Sequence, residues 1–298
     1  MRLRLAVIIP TYNRRYELER LIDSIVLQGV IPDRIVVCDA SEQANDSIVK
    51  KYPSLPITYI HTEVPSSTQQ RNIAIKSLEK KCELITVFDD DIVLMPDAFK
   101  NMLMFWDKAE ETLGGAVFNI INDKRVSRWV IFKMVFRTGA KARGVVLRSG
   151  YATSICPADV NRYVEWLFGG ATVWRREVFN TTQYDEWFSD YGLGEDLDFS
   201  FRVGKMYKLA VVGGAHVQHL HAKSYRINYE LFGKKQIVNT YYIVKKDRYF
   251  SKMLFYWACI GVMLENSMGI FLSANKVKSM QMLIGNAKGI CDMIIGKA

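Results

Sequence analysis

The feature that most constrains the fold is a short, largely apolar run that ends in three consecutive carboxylates. Residues 84–88 are rich in β-forming side chains, and Asp89, Asp90 and Asp91 follow directly. A short unbroken run of this kind is typical of a buried strand, and open α/β folds bind their ligands at the carboxyl ends of such strands. Adjacent carboxylates repel one another, and a divalent cation such as Mg²⁺ or Mn²⁺ would offset that repulsion. The run therefore indicates either a metal site or a solvated acidic turn.

Segments with the pattern of strands alternate with segments with the pattern of amphipathic helices over the first 121 residues. The predicted strands are 5–9, 34–38, 57–60, 84–88 and 114–121, and the predicted helices are 16–28, 44–51, 67–78 and 97–111. This alternation predicts an α/β fold with a mostly parallel, doubly wound sheet flanked by helices. Because the crossovers are right-handed, the loops after the strands gather at one edge. We expect Asn13, Asp39, Arg71 and the three acids to meet there.

Two further motifs follow in the middle of the chain. Gly169 and Gly170 precede an apolar strand, where paired glycines either let a backbone approach a ligand closely or form a β-bulge. Glu195 and Asp196 open a helical run over 197–203. Acids are common in the first turn of a helix because they complement its dipole, so the pair is either a helix cap or part of a catalytic site.

Three of the four histidines, His216, His219 and His221, follow a predicted strand at 209–213. Residues two apart on a strand face the same side, so His219 and His221 would point in one direction if the strand continued. A single histidine is most often structural. A cluster of them downstream of an acidic site is equally consistent with metal ligands.

The composition places the chain among ordinary globular proteins. It has 298 residues, of which 49% are hydrophobic, and its five cysteines are widely spaced without a C-x-x-C pair. This pattern predicts reduced thiols and no zinc site. The first apolar run ends at Pro10 and is too short for a signal peptide, so we expect a cytoplasmic protein.

The ordered set of motifs resembles the family 2 glycosyltransferases of the GT-A fold. The resemblance covers about residues 5–225 and lies in the segments 10–14, 71–72, 89–91, 169–170, 195–196 and 221–224, together with Asp39. The family transfers a sugar from a nucleotide diphosphate sugar to an acceptor hydroxyl, with inversion at the anomeric carbon. The resemblance therefore implies an enzyme, a hexosyl- or deoxyhexosyltransferase, that uses a UDP, dTDP or GDP sugar.

The same resemblance implies a role for each matching position. Asp196 corresponds to the general base, and Glu195 lies beside it. Asp91 and His221 correspond to the ligands of a divalent metal, Mn²⁺ or Mg²⁺, with His219 as the second choice. The positions implied for the nucleotide sugar are Pro10, Thr11, Asn13, Asp39, Arg71, Asp89, Asp90, Gly169 and Gly170.

Positive charge is concentrated in two later segments. Residues 124–158 contain eight Lys and Arg and no acid, and Lys133, Arg137 and Lys141 would share one face of a helix. This face is either an ordinary solvated surface or a surface for phosphates or lipid headgroups. Residues 226–298 contain 11 Lys and Arg against four Asp and Glu, so this segment carries most of the net charge of +9 of the whole chain.

The last segment also carries two apolar runs, 253–264 and 268–272, separated by Glu265-Asn266-Ser267. A bilayer span needs about 20 apolar residues, and a central acid is costly, so we predict no transmembrane helix. We expect instead a pair of amphipathic helices at an anionic membrane surface on the inner face of the cell membrane. A helical subdomain or a homo-oligomer contact is the alternative.

The sequence thus predicts a GT-A domain over 1–225 and a helical region over 226–298. Within the first, 1–121 would bind the nucleotide sugar and 122–225 the acceptor, a glycan or lipid-linked glycan of the cell surface. A sugar-phosphate nucleotidyltransferase is disfavoured because no Gly-rich basic fingerprint lies near the N-terminus. A non-enzymatic protein that binds nucleic acid or another anionic surface is a further alternative. Nucleic acid is not an expected partner, because the charge lies in a Lys- and Tyr-rich tail without a recognised motif.

Overall fold

The computed structural model describes residues 3–123, 129–189, 192–221 and 228–296. Nine strands lie in these ranges: β1 Leu5–Thr11, β2 Arg34–Asp39, β3 Ile57–His61, β4 Leu84–Phe88, β5 Ile92–Leu94, β6 Leu113–Ile120, β7 Arg162–Val164, β8 Ala171–Arg175 and β9 Lys208–His219. Ten helices lie there as well: α1 Arg15–Val26, α2 Ser47–Lys51, α3 Ser67–Ser77, α4 Ala98–Asp107, α5 Val130–Val135, α6 Val178–Thr181, α7 Glu195–Gly204, α8 Tyr229–Lys246, α9 Lys252–Leu272 and α10 Lys276–Ile294. The α/β class and the five strands predicted in the first 121 residues are confirmed.

The strands form one sheet in the order β3-β2-β1-β4-β8-β6-β9-β5, with β7 paired to β9. The half built from β3, β2, β1 and β4 is parallel, as the strand–helix alternation predicts. The predicted fold class, with a mostly parallel sheet flanked by helices, is confirmed, and beyond β4 the sheet is mixed because β8 enters antiparallel between β4 and β6. A strand in this position brings its preceding loop, with Gly169 and Gly170, to the carboxyl end of β4.

The core of the sheet explains why the acids lie where they do. Every residue of β4 is buried, and Phe88 at its end packs on Phe118 and Phe99, with ring centroids 5.2 and 6.0 Å away. Burial of these rings fixes the end of β4, since each large apolar side chain contributes about 1.5–3 kcal/mol when removed from water. The three carboxylates that follow are therefore held at a rigid edge.

The chain divides into two compact units. The first comprises Met1–Arg125 and Ile155–Ser224 and contains the whole sheet. The second comprises Val126–Ser154 and Tyr225–Ala298, so residues we assigned to the acceptor half cluster with the C-terminal helices. We call these the sheet unit and the helical unit.

Two helical predictions in the helical unit are corrected. Helix α5 ends at Val135 and Arg137 has a left-handed backbone with φ of 55°, so Lys133, Arg137 and Lys141 do not share a helix face. The predicted pair of helices over 253–272 is one continuous helix, α9, which runs through Glu265-Asn266-Ser267. Lys124, Arg125 and Arg128 of the basic segment lie outside the described residues.

Helix α9 is also the one described helix that is long and apolar enough to cross a membrane, with a mean hydropathy of 1.3. This follows from length and composition alone, and the core helices of soluble proteins meet the same criteria.

Candidate active site

The carboxyl ends of β1, β2 and β4 bring the predicted polar residues to one edge of the sheet. Thr11 is the last residue of β1 and lies opposite Asp39, the last residue of β2. Gln70 of α3 joins the two strand ends, because its Nε2 donates to the backbone oxygens of Thr11 at 2.8 Å and Cys38 at 2.6 Å. Pro10 precedes Thr11 in β1 and pairs with Cys38. The edge predicted from the strand pattern is confirmed.

Asp90 points back toward β1 and is almost fully buried. Its Oδ2 accepts a hydrogen bond from Thr11 Oγ1 at 2.8 Å, and its Oδ1 accepts one from Arg14 Nη1 at 3.1 Å. Burial raises the pKa of Asp90 to about 7, although Arg14 and Thr11 both oppose the shift. Asp90 therefore connects the acid triplet with Thr11 at the end of β1 and with Arg14 in the loop that follows.

Asp89 lies on the other side of the triplet, beside Arg71 of α3. Arg71 Nη2 donates to Asp89 Oδ1 at 2.9 Å, and Arg71 Nη1 donates to Glu195 Oε1 at 2.9 Å. Burial alone would lower the pKa of Arg71, but the two carboxylates outweigh it and raise that pKa. The guanidinium stacks over Tyr184 at 5.2 Å from the ring centroid. One buried cation thus connects the acid triplet with the first turn of α7.

Asp196 follows Glu195 at the start of α7, which begins after Gly194 with φ of 94°. Its Oδ2 accepts from the backbone N–H of Gly169 at 3.2 Å and its Oδ1 from that of Leu197 at 2.8 Å. Burial raises the pKa of Asp196, and these two hydrogen bonds oppose the rise. Burial also raises the pKa of Glu195 to about 8, with the charge of Asp196 adding to the shift and Arg71 opposing it. A carboxylate with a raised pKa is a stronger proton acceptor than a free one.

The glycine pair fits tightly between these groups. A Cβ on Gly170 would lie 2.7 Å from Asp89 Oδ2, and a Cβ on Gly169 would lie 3.2 Å from both guanidinium nitrogens of Arg71. The backbone of this loop therefore approaches the carboxylates as closely as the absence of a side chain permits. The close approach seen here is to side chains of the protein itself, and the reading that the pair approaches a ligand stays a prediction.

A candidate metal centre lies at the end of β9. Antiparallel pairing sets Ile92 of β5 opposite His219, and His219 Nε2 lies 3.0 Å from Asp91 Oδ1. Ligand atoms of Asp89, Asp91 and His219 lie within 4.8 Å of one another. Two carboxylates and one imidazole suit a divalent cation such as Mn²⁺. These three side chains could hold such an ion.

The second histidine stands beside this group. Strand β9 extends beyond the predicted 209–213 and ends at His219, and His221 has a left-handed backbone with φ of 47°, so the condition that one strand carries both residues is not met. Their rings nevertheless lie 4.1 Å apart between centroids. Asn122 fixes the backbone of His219 through two hydrogen bonds, of 2.8 and 3.0 Å. The structure thus places the second-choice histidine, His219, against Asp91, and the ligand role of His221 stays a prediction. Lys223 and Ser224 of the same motif lie outside the described residues.

Asp39 is enclosed more completely than the sequence indicates. Its two oxygens accept hydrogen bonds from Tyr59 Oη at 2.7 Å, from Asn45 Nδ2 at 2.8 Å and from the backbone and hydroxyl of Ser41. Burial opposes its ionisation, but the hydrogen bonds from Ser41 and Tyr59 outweigh burial and lower its pKa. Asp39 has no exposed surface, so direct contact with a nucleobase would require this loop to rearrange. Asn13, with φ of 53°, donates its backbone N–H to Ser41 Oγ at 2.7 Å.

Sequence reasoning placed Arg14 and Asn72 within the motifs 10–14 and 71–72 but assigned neither of them a role in the site. Arg14 pairs with Asp90 and lies 3.9 Å from Asp91. Asn72 holds the aromatic segment around Tyr184, since its amide exchanges hydrogen bonds of 2.9 and 3.1 Å with the backbone of Tyr184. That segment supplies the ring beneath Arg71, a relationship without local signal in the sequence.

Comparisons with known proteins agree with this geometry. The family model described as "Glycosyl transferase family 2" matches residues 6–158, slightly more than half of the chain. An uncharacterized glycosyltransferase, YwdF of Bacillus subtilis, is 25% identical over 180 residues, which cover 56% of this chain and 66% of that protein. The match thus spans a little less than two thirds of the curated relative.

Two solved structures share the fold. The mannosyltransferase PcManGT of Pyrobaculum calidifontis, in complex with GDP-Man and Mn²⁺, superposes with a TM-score of 0.60 at 15% identity and covers 98% of this chain and 88% of its own. TarS of S. aureus, in complex with UDP-GlcNAc, superposes with a TM-score of 0.56 at 18% identity, covering 95% and 79%. The predicted GT-A fold is confirmed.

Proposed function

The chain belongs to glycosyl transferase family 2, and on that premise we propose that it transfers a sugar from a nucleotide diphosphate sugar to an acceptor hydroxyl. One observation carries the proposal. Arg71 joins Asp89, next to a metal-capable pair of side chains, to Glu195, next to the half-buried carboxylate of Asp196. A cation site that stabilises the leaving group and a carboxylate that accepts the proton of the hydroxyl are two groups that promote glycosyl transfer.

The donor would bind at the edge formed by β1, β2 and β4. The residues Thr11, Asn13, Arg71 and Asp90 lie there, and they are four of the nine positions that the family resemblance assigns to the nucleotide sugar. TarS binds UDP-GlcNAc and PcManGT binds GDP-Man with folds like this one, which supports a nucleoside diphosphate donor. Gly169 and Gly170 pack their backbone against Arg71 and Asp89 at this edge, where the resemblance assigns them to the nucleotide sugar.

Asp91 and His219 would hold a divalent metal, with Asp89 as a third ligand. These three side chains suit a divalent metal, because their ligand atoms already lie within 4.8 Å of one another and combine hard carboxylate oxygen with imidazole nitrogen. A bound divalent cation acts as a Lewis acid that stabilises the charge developing on the leaving nucleoside diphosphate. Arg14, 3.1 Å from Asp90, keeps a fixed positive charge at the same edge.

Asp196 would act as the general base. Its raised pKa, caused by burial, suits removal of a proton from the acceptor hydroxyl at neutral pH. A single displacement needs one such carboxylate and inverts the anomeric carbon, whereas a double displacement needs an additional nucleophile. Arg71 holds Glu195 in place, and Glu195 would orient the acceptor. The acceptor in this proposal is a glycan or a lipid-linked glycan of the cell surface.

A binding panel with a hydrolysis readout tests this function. UDP, dTDP and GDP, each with and without Mn²⁺, are compared by thermal shift, and the matching nucleotide sugars are then assayed for release of the nucleotide. We expect one nucleotide to raise the unfolding temperature in an Mn²⁺-dependent manner and its sugar to be hydrolysed slowly. Stabilisation by a single-stranded oligonucleotide and by none of the nucleotides would contradict the proposal and favour an anion-binding protein.

A further inference from the structure

The net positive charge of the protein comes entirely from the helical unit. Val126–Ser154 and Tyr225–Ala298 contain 17 Lys and Arg against four Asp and Glu, a balance of +13, whereas the sheet unit contains 23 against 27, a balance of −4. Glu230, Glu265 and Asp292, three of the four acids, form ion pairs with Lys288, Lys133 and Lys234 inside the unit. The charge that the unit presents to its surroundings is therefore overwhelmingly positive.

Helix α9 adds a long apolar stripe to this charged unit. Met253, Trp257, Ile260, Leu264 and Phe271 are each between 42% and 78% exposed. Their spacings of four, three, four and seven residues place them on one face of the helix. At 1.5 Å per residue the stripe is about 27 Å long. Exposed apolar residues at this spacing and over this length mark an interaction surface.

The opposite face of α9 fixes how the stripe is presented. Phe255, Ala258, Cys259 and Val262 are buried within the unit. Asn266 Nδ2 also donates to Asn286 Oδ1 of α10 at 2.7 Å, and Asn286 itself is fully buried. Because one side of α9 is packed against its own unit, the helix can lie on a surface but cannot cross one without leaving these contacts.

The two ends of the stripe carry the residues that suit a membrane interface. Trp257 is 43% exposed, and its ring stacks on Phe136 with centroids 5.1 Å apart. Lys252 lies at the start of α9, and Lys276 and Lys278 lie just beyond its end. The stripe itself contains no charge, since the charged residues of α9 are Lys252 and Glu265 and the latter is paired with Lys133 at 3.3 Å.

We propose that this face of α9 docks the helical unit on an anionic lipid bilayer, with the stripe lying in the plane of the interface. A helix with an uncharged apolar face and surrounding Lys and Arg side chains is the arrangement that binds at the headgroup boundary. Each basic residue near an anionic surface adds about 1 kcal/mol, and the burial of apolar side chains adds a contribution that salt does not remove.

The charge of the helical unit argues against a second copy of the chain as the partner that binds this face of α9. Two units of +13 each would repel one another when brought face to face, whereas an anionic surface attracts both. The docking proposal is also independent of the donor chemistry, because it depends on residues of the helical unit alone.

Vesicle flotation tests the proposal. The full-length protein is mixed with vesicles of phosphatidylcholine alone or with about 30 mol% phosphatidylglycerol. We expect wild type to float with the anionic vesicles, and the double variant Ile260→Glu/Leu264→Glu to show a partition coefficient at least about tenfold lower. At 1 M NaCl, where the Debye length is about 3 Å, binding of wild type should weaken but persist.

A matched control uses Leu27→Glu/Met206→Glu, which places the same charges on exposed apolar residues of the sheet unit. This control should float as wild type does, and circular dichroism should show the helical content of wild type in both variants. Equal flotation of the two double variants would overturn the proposal, as would a wild type that ignores both kinds of vesicle. A dimer in vesicle-free sedimentation that Ile260→Glu/Leu264→Glu converts to monomer would overturn it in favour of self-association.

Discussion

His219 Nε2 lies 3.0 Å from Asp91 Oδ1, although 127 residues separate the two along the chain. The contact exists because β5 and β9 pair antiparallel immediately beside both residues. Burial by itself would lower the pKa of His219, but the hydrogen bond and charge of Asp91 raise it. A cation bound by the two side chains would replace the proton that they otherwise share.

The first prediction separates the two histidines. His219→Ala should weaken Mn²⁺ binding by more than about tenfold, because substitution of a residue that merely supports a metal ligand already lowers metal affinity by about this factor. His221→Ala should have a smaller effect, since the metal-capable group of described residues contains His219. Mn²⁺ affinity is measured by calorimetry in the presence of the stabilising nucleotide. The reverse ranking would identify His221 as the ligand.

The second prediction concerns Asp196. Asp196→Asn keeps the oxygen that accepts from the Gly169 N–H but removes the proton acceptor. We expect turnover to fall by about 10²–10⁴-fold with donor affinity nearly unchanged, because the base acts in the transition state. Turnover and donor dissociation constants are measured separately. A loss of donor affinity as large as the loss of turnover would make Asp196 a structural residue.

The third prediction concerns Arg71 as a structural cation. Arg71→Met leaves Asp89 and Glu195 without their buried partner, so the free energy of unfolding should fall by about 3–5 kcal/mol. Urea denaturation measures the loss. Lys208→Met, which removes the cation of an exposed pair with Glu110, should leave the midpoint nearly unchanged. Equal effects of the two substitutions would show that the Arg71 bridge adds nothing to stability.

The fourth prediction is a dependence of stability on pH. Burial raises the pKa of Glu195 to about 8 and that of Asp90 to about 7, so the folded protein retains protons that the unfolded chain has lost. The free energy of unfolding should therefore fall as pH rises from about 5 to about 8, with a slope of at most about 1.4 kcal/mol per pH unit for each group.

Urea denaturation in EDTA across this pH range measures the slope. Glu195→Gln and Asp90→Asn should each flatten it, because neither amide titrates. A slope that both variants retain in full would mean that other groups control the pH dependence.

The fifth prediction tests the close approach of the glycine loop. Gly170→Ala places a Cβ 2.7 Å from Asp89 Oδ2 and should displace that carboxylate, so Mn²⁺ affinity should fall by about tenfold or more. Gly214→Ala is the control, because its Cβ would meet only Asn101 Nδ2, at 4.0 Å. Equal Mn²⁺ affinities of the two variants would exclude Asp89 as a ligand.

The sequence alone determined the first half of the sheet and the place of its ligand edge. The β-forming run at 84–88 and the strands before it have local patterns, and a parallel connection puts their carboxyl ends on one side. This constraint acts only between neighbouring elements. It was therefore sufficient to predict that Thr11, Asp39 and the acid triplet lie at the same edge of the sheet. The roles that the family resemblance assigns to these residues stay predictions.

The tertiary structure decided what depends on pairing between distant segments. The antiparallel entry of β8 brought Gly170 to Asp89, and the register of β5 with β9 brought His219 to Asp91. Helix α9 continues through Glu265, and Lys133 pairs with that carboxylate at 3.3 Å. Periodicity reports which face of a segment is apolar, but the choice of partner for that face is made by packing and register, which have no signal within a single segment.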